Sequence, residues 1–165
     1  MKKLVMLVGI LLTVANMYAV DPKGDALVDA AAEGNLALVK KDIKDGAKVN
    51  YYNPEVAFTA LMAAAQGGYK DVVSYLISKG ADVNMQGFHG ATALQLAVMQ
   101  KQAPVVKILL DVPNININLQ DEDGHSAYDY HKAVNDPQIN KAFADYIGKV
   151  LSQINFIPPA SSTAR

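Results

Sequence analysis

One short motif returns at a fixed interval along the chain. Gly-Ala-Lys-Val-Asn at 46–50 recurs 34 residues later as Gly-Ala-Asp-Val-Asn at 80–84, and Asn118 stands another 34 residues on. A second series runs in phase, with Thr-Ala-Leu at 59–61 and 92–94 followed by Ser-Ala-Tyr at 126–128. Repetition at intervals of about 20 to 50 residues is typical of stacked repeat proteins. The sequence therefore predicts an array of similar units.

Each unit is predicted to contain two short helices and a loop. In the second unit, Thr59 is placed to cap an alanine-rich helix, which the glycines at 67–68 end. An apolar stripe that includes Leu76 predicts the second helix, and Gly80 follows its last turn, where glycine is favoured. Because neither helix can bury its apolar side alone, we expect the units to be stable only together, with Leu76 in their shared core.

These motifs resemble the ankyrin repeat. The match covers about residues 25–151, with a cap-like first repeat and a fourth repeat that degrades after Asp129. The resemblance implies an all-α fold, an ankyrin-repeat solenoid of about four helix-turn-helix repeats joined by hairpin-like loops. The repeats are expected at about 25–50, 51–84, 85–118 and 119–151.

The chain departs from the family pattern at two positions of each repeat. Alanine replaces the proline of the pattern at Ala60, Ala93 and Ala127. The histidine of the pattern is replaced by Met62 and Gln95. We therefore expect the side-chain hydrogen bonds usual at that position to be missing.

The two ends of the chain do not belong to the repeats. Lys2 and Lys3 precede an apolar run at 4–15 that is shorter than the roughly 20 residues of a membrane span. A basic head, a short apolar run and small residues predict a signal peptide at 1–19, cleaved after Ala19 or after Ala15. The tail at 152–165, with Pro158 and Pro159, is expected to be mobile.

Composition argues against several functional classes. The 165 residues include no cysteine, which excludes disulfides, thiolate metal sites and cysteine nucleophiles. A net charge of −1 gives no basic field for nucleic acid or an anionic membrane. No residue set suggests a nucleophile with its base, so no catalytic residue, metal site or cofactor is predicted. The rival hypothesis is a weak metal site between His89 and His125, which occupy equivalent places in successive loops.

In ankyrin stacks, loop tips and inner helices form a concave binding surface whose variation between repeats selects the partner. The residues at those places are Glu33, Tyr51, Tyr52, Phe58, Gln66, Phe88, His89, Met99, Gln100, Glu122 and His125. The aromatic residues among them are typical of interface centres. The alternative is that the long first loop folds over and buries two of them against the second repeat.

The sequence and the resemblance together predict a non-catalytic, monomeric protein that binds a protein partner of unknown identity. It is expected to be periplasmic or secreted, with no nucleic-acid ligand and no membrane association after signal cleavage. The alternatives are a periplasmic stress or metal-binding protein, or an inhibitor or protective partner of a periplasmic enzyme.

Overall fold

The computed structural model describes residues 21–154, so the predicted signal peptide and the tail beyond Ile154 lie outside the described residues. The described part is a row of helix pairs, which confirms the all-α repeat prediction. Its helices are α1 (Pro22–Ala32), α2 (Leu36–Lys44), α3 (Ala60–Gly67), α4 (Lys70–Ser78), α5 (Ala93–Met99), α6 (Ala103–Leu110), α7 (Ala127–Val134) and α8 (Pro137–Ile154). The short strands β1 (Tyr52–Asn53) and β2 (Phe58–Thr59) form an antiparallel hairpin.

The inner helices are α1, α3, α5 and α7, and each follows a side chain that caps its N-terminus. The side-chain oxygens of Thr59, Thr92 and Ser126 accept the backbone N–H three residues on, at 3.3, 3.2 and 3.2 Å. These caps satisfy donors that a helix start leaves free. The repeated Thr or Ser of the sequence thus marks where α3, α5 and α7 begin, while Asp21 caps α1.

The core lies between the inner helices and their outer partners, α2, α4, α6 and α8. Residues 60–65 of α3 and 93–98 of α5 are all buried, and all of them are apolar except Gln95. Leu76 of α4 is fully buried, as predicted. Helix α8 closes the row by burying Ile139 and Phe143. It continues to Ile154, so the chain is helical for three residues past the boundary at 151 from which a mobile tail was predicted.

The asparagines that end the first two repeated motifs, Asn50 and Asn84, join one repeat to the next. Asn50 accepts a hydrogen bond from the Asp82 N–H at 2.8 Å and donates to the Gly80 carbonyl at 3.2 Å. Asn84 repeats both bonds one unit on, with the Asn116 N–H and the Asn114 carbonyl, each at 2.8 Å. The 34-residue period of the sequence is therefore a period of hydrogen bonds between repeats.

The expectation that hydrogen bonds are missing at the substituted histidine position was wrong. Gln95 accepts from the Thr92 N–H at 2.7 Å and donates to the carbonyls of His125 and Leu119 at 2.7 and 3.3 Å. The Met62 sulfur accepts from the Thr59 N–H at 3.5 Å. Glutamine succeeds because its amide has both an acceptor and donors, as an imidazole has.

Three finger loops project beyond the inner helices, at residues 51–59, 85–92 and 119–126. The Phe88 N–H donates to the Ala57 carbonyl at 2.8 Å, and the Glu122 N–H donates to the His89 carbonyl at 3.0 Å. The first contact requires glycine at Gly87, because a Cβ there would lie 2.5 Å from the Ala57 oxygen. The finger loops are thus bonded to one another in sequence order.

Leu76→Ala should lower the free energy of unfolding by about 2–5 kcal/mol, because it leaves a cavity in the shared core. Leu38→Ala is the control, since Leu38 lies on outer helix α2 and is 42% exposed. Its expected cost is about 0.5 kcal/mol or less. Urea unfolding followed by circular dichroism would measure both, and equal losses would contradict this assignment of the core.

Candidate functional site

A groove of about 420 Å³ runs between the β1–β2 hairpin and the inner helices. Helix α1 and the hairpin contribute its sides, and the inner-helix ends of the next two repeats complete it. The lining residues are Val28, Asp29, Ala32, Val56, Phe58, Ala63, Gln66, Gly67 and Gln100. Its size falls within the range of about 300–1,000 Å³ that is usual for ligand pockets.

Tyr51 belongs to the local packing and not to the open surface. Its ring lies on the backbone of Gly24, where an added Cβ would be 2.3 Å from the Tyr51 Cγ. Its hydroxyl donates to the Asp25 carboxylate at 2.8 Å, and the Asn53 amide donates to the same oxygen at 2.7 Å. Desolvation, followed by the bond to Asp25, raises the pKa of Tyr51. Tyr51 and Asn53 therefore fix the first finger loop to α1 of the first repeat, whereas the alternative hypothesis placed the packed rings against the second repeat.

The other three predicted aromatic residues differ in exposure. Tyr52 is 39% exposed and Phe88 is 53% exposed, so both are available at the surface. Phe58 is half-buried and forms part of the groove. Phe88 meets the His89 ring edge-on, with 4.0 Å between ring centroids. The finger loops thus present two open aromatic side chains beside a third that is partly enclosed.

The predicted residues at the inner-helix ends also fall into two groups, those that line the groove and those that do not. Gln66 and Gln100 line the groove. Glu33 and Met99 are exposed, and each adjoins a lining residue in the sequence. Sequence reasoning missed Val28, Asp29, Val56 and Ala63, since it considered only loop tips and final helix positions. The one available signal for Val56 was its apolar side chain in the long first loop.

The two histidines of the metal hypothesis have separate partners. His89 Nδ1 lies 2.8 Å from a carboxylate oxygen of Glu122, and both side chains are largely exposed. The ring of His125 instead packs near Tyr130, with 5.6 Å between centroids. Among residues 21–154, no three His, Asp or Glu side chains converge as metal ligands would.

Asp121 organises the third finger loop. It accepts from the backbone N–H of Asp123 and of His125, at 3.1 and 2.9 Å, and from the Tyr130 hydroxyl at 2.6 Å. Burial opposes ionisation of Asp121, but these hydrogen bonds outweigh it and hold its pKa below the ordinary value. The bond to Asp121, together with burial, raises the pKa of Tyr130 to about 12. The hydrogen bonds of the Asp121 carboxylate thus stabilise the third finger loop.

The sequence model of the ankyrin repeats, in three copies, matches residues 27–121, more than half of the chain. The chain belongs to the ankyrin-repeat family. Such repeats are in general protein–protein interaction modules. None of the helices between residues 21 and 154 combines the length and hydropathy needed to span a bilayer.

Several known ankyrin-repeat proteins are similar to this chain. An ankyrin repeat-containing protein of Treponema pallidum (strain Nichols) is 38% identical over 120 residues, which is 72% of this chain and 40% of that protein. The ankyrin repeat and KH domain-containing protein mask-1 of Caenorhabditis elegans is 41% identical over 54% of this chain and 3% of its own length. The ankyrin repeat and SAM domain-containing protein 6 of Rattus norvegicus is 35% identical over 74% of this chain and 14% of its own length. This ankyrin-repeat chain therefore spans less than half of these relatives.

Tyr51 and Tyr52 provide an adjacent pair that tests this description. Tyr51→Ala should lower the free energy of unfolding by about 2 kcal/mol or more, since it removes buried ring area and the bond to Asp25. Tyr52→Ala should cost about 0.5 kcal/mol or less. Thermal unfolding would measure the stability of both variants. A larger loss of stability for Tyr52→Ala would show that Tyr52 is the packed ring and Tyr51 the open one.

Proposed function

We propose that this ankyrin-repeat chain acts without catalysis, by holding a protein partner on its concave face, which we define as the inner helices and the finger loops. One observation carries the proposal: the concave face has a groove of about 420 Å³ whose lining combines apolar side chains with Asp29, Gln66 and Gln100. The open rings of Tyr52 and Phe88 stand on the same face. The stacked core does not require these two rings, and binding of a partner would account for their exposure.

Aromatic side chains suit this task because they bury a large area at little entropic cost. Such residues frequently contribute about 2 kcal/mol or more each at an interface centre. Met99, which is also exposed, is a side chain that adapts readily to irregular surfaces. We propose that Tyr52, Phe58 and Phe88 form the centre of the interface, with Gln66, Gln100 and His89 around it.

We further propose that the ankyrin-repeat chain works as an exported monomer, periplasmic or secreted, and that its ligand is not a nucleic acid. The support for export is the basic start at Lys2 and Lys3 followed by the apolar run at 4–15. The support against a nucleic-acid ligand is the net charge of −1, which supplies no field that would attract phosphates.

The partner hypothesis is tested with Tyr52→Ala combined with Phe88→Ala. The purified chain and this variant would be used to capture partners from separated periplasmic and cytoplasmic fractions of the source cells. We expect the double variant to lose at least about tenfold in captured partner, because two interface rings are removed. Circular dichroism should show unchanged helical content.

The matched control is Leu38→Ala combined with Leu151→Ala. It also removes two exposed apolar side chains, at 42% and 54% exposure, but from outer helices α2 and α8. It should capture as much partner as the parent chain. If this control loses the partner while the concave variant retains it, the binding face is the outer one and the proposal fails.

Export is tested by placing a charge in the apolar run. Leu11→Arg should hold the chain in the cytoplasm, because a charged residue interrupts the segment that the export machinery recognises. Leu151→Arg, which places the same charge on the exposed end of α8, should leave export unchanged. Cell fractionation with immunoblotting gives the result, and normal export of the Leu11→Arg chain would refute the signal-peptide assignment.

A further inference from the structure

The two sides of the helix row differ in charge. Every outer helix carries lysine, for example Lys40, Lys70, Lys107 and Lys141. The inner helices α3 and α5 carry no charged residue. The acids of α1 and of the third finger loop therefore dominate the potential of the concave face. A face of one sign attracts ligands of the opposite sign and raises their rate of association.

The groove itself combines apolar walls with a carboxylate. Val28 and Ala63 are buried at its base, while Val56 and Phe58 enclose it from the hairpin. Asp29 contributes the charged group of the lining, and no lysine or arginine lines the groove. An apolar side chain fits the walls formed by Val28, Val56 and Phe58, whereas an anion would meet Asp29 with no cation in the lining to offset it.

Three carboxylates around the groove are left without partners. Within residues 21–154, the side chains of Asp29, Glu33 and Glu55 take part in no hydrogen bond or ion pair with another side chain. This differs from Asp25, which accepts bonds from Tyr51 and Asn53 to hold the hairpin. Asp25 therefore has a role in the packing of the repeats, whereas the other three carboxylates have none.

Asp29 is the one of the three that lies in the groove lining; Glu33 and Glu55 adjoin lining residues in sequence, as Lys101 also does. Asp29 and Glu33 are four residues apart, so they stand on one side of α1 one turn from each other. Glu55 precedes the lining residue Val56 at the tip of the hairpin. A ligand that lies across the groove would pass from one set of carboxylates to the other.

We propose that the groove binds a basic segment of the partner protein, with an apolar side chain between the walls and lysine or arginine side chains against Asp29, Glu33 and Glu55. This rests on the proposed function, because the segment belongs to a partner held on the concave face. Apolar contact supplies affinity and the flanking charges supply selectivity and speed of association. An acidic segment of the same shape is repelled by the same carboxylates.

The probe is a blocked pentapeptide, Gly-Lys-Leu-Lys-Gly, added to the ¹⁵N-labelled full chain in an NMR titration at low salt. We expect saturable shifts at the backbone amides of Ala32, Val56 and Gly67, which border the groove. Gly-Glu-Leu-Glu-Gly should bind at least about tenfold more weakly, because it reverses both charges. Gly-Lys-Gly-Lys-Gly should also bind more weakly, because it leaves the groove unfilled.

Two variants separate the charge from the groove. Asp29→Asn with Glu33→Gln should raise the Kd of the lysine peptide by about three- to tenfold. The control, Asp42→Asn with Asp71→Asn on outer helices α2 and α4, makes the same change in net charge and should leave Kd unchanged. Ala32→Leu fills the groove and should abolish the shifts, while Ala133→Leu, at the equivalent position of the fourth repeat, should preserve them.

Each contrary result overturns the inference. Equal binding of the Leu and Gly peptides would mean that charge alone attracts them. Equal or tighter binding of the glutamate peptide would assign the groove to a neutral or acidic segment. Binding that survives Ala32→Leu, or no binding by any peptide, would mean that the groove is not the site. The proposed function has its own readout, which is capture of the partner and its loss in the Tyr52→Ala, Phe88→Ala variant. If that capture holds while every peptide fails, this inference is wrong and the proposed function is not.

Discussion

No single helix pair of this protein can bury its own apolar surface, and the rest of the structure depends on that constraint. Helices α3 and α5 are buried along almost their whole length, so each needs neighbours on every side. The small side chains of residues such as Ala64 and Ala97 let the helices approach closely. Burial of apolar area at about 25 cal/mol per Å² then stabilises the row as a whole, since every repeat supplies part of its neighbour's core.

Hydrogen bonds decide how the repeats align once burial has brought them together. Asn50 and Asn84 each bond to the following repeat through both ends of the side-chain amide. Gln95 makes a further connection, from α5 to the third finger loop. Gln95 is fully buried, so leaving its amide unpaired would be costly, and the placement of the third finger loop that pairs it is favoured. Apolar contacts alone would permit sliding, which these directional bonds prevent.

The same arrangement leaves the concave face free to vary. The finger loops are held by their own bonds, through Asp25 in the first loop and Asp121 in the third. Residues that point away from these bonds, such as Phe88, can therefore change without loss of the core. The groove exists because the hairpin stands apart from α1 while being fixed to it at one end. In each repeat, one set of residues thus maintains the structure and a different set is free to vary. This separation is the basis of selective binding in a repeat protein.

The sequence by itself determined the family, the period, the caps at Thr59, Thr92 and Ser126, and the burial of Leu76. These follow from local hydrogen bonding and from the spacing of apolar residues, both of which act over a few positions of the chain. The open state of Tyr52 and the packed state of Tyr51 were decided only by the tertiary structure, because the contacts that bury Tyr51 come from Gly24 and Asp25 of α1, far from it in sequence. The bonds of Gln95 and the groove beside Asp29 were likewise decided there. Both depend on residues from different repeats. A local sequence pattern does not show how far apart such residues lie in space.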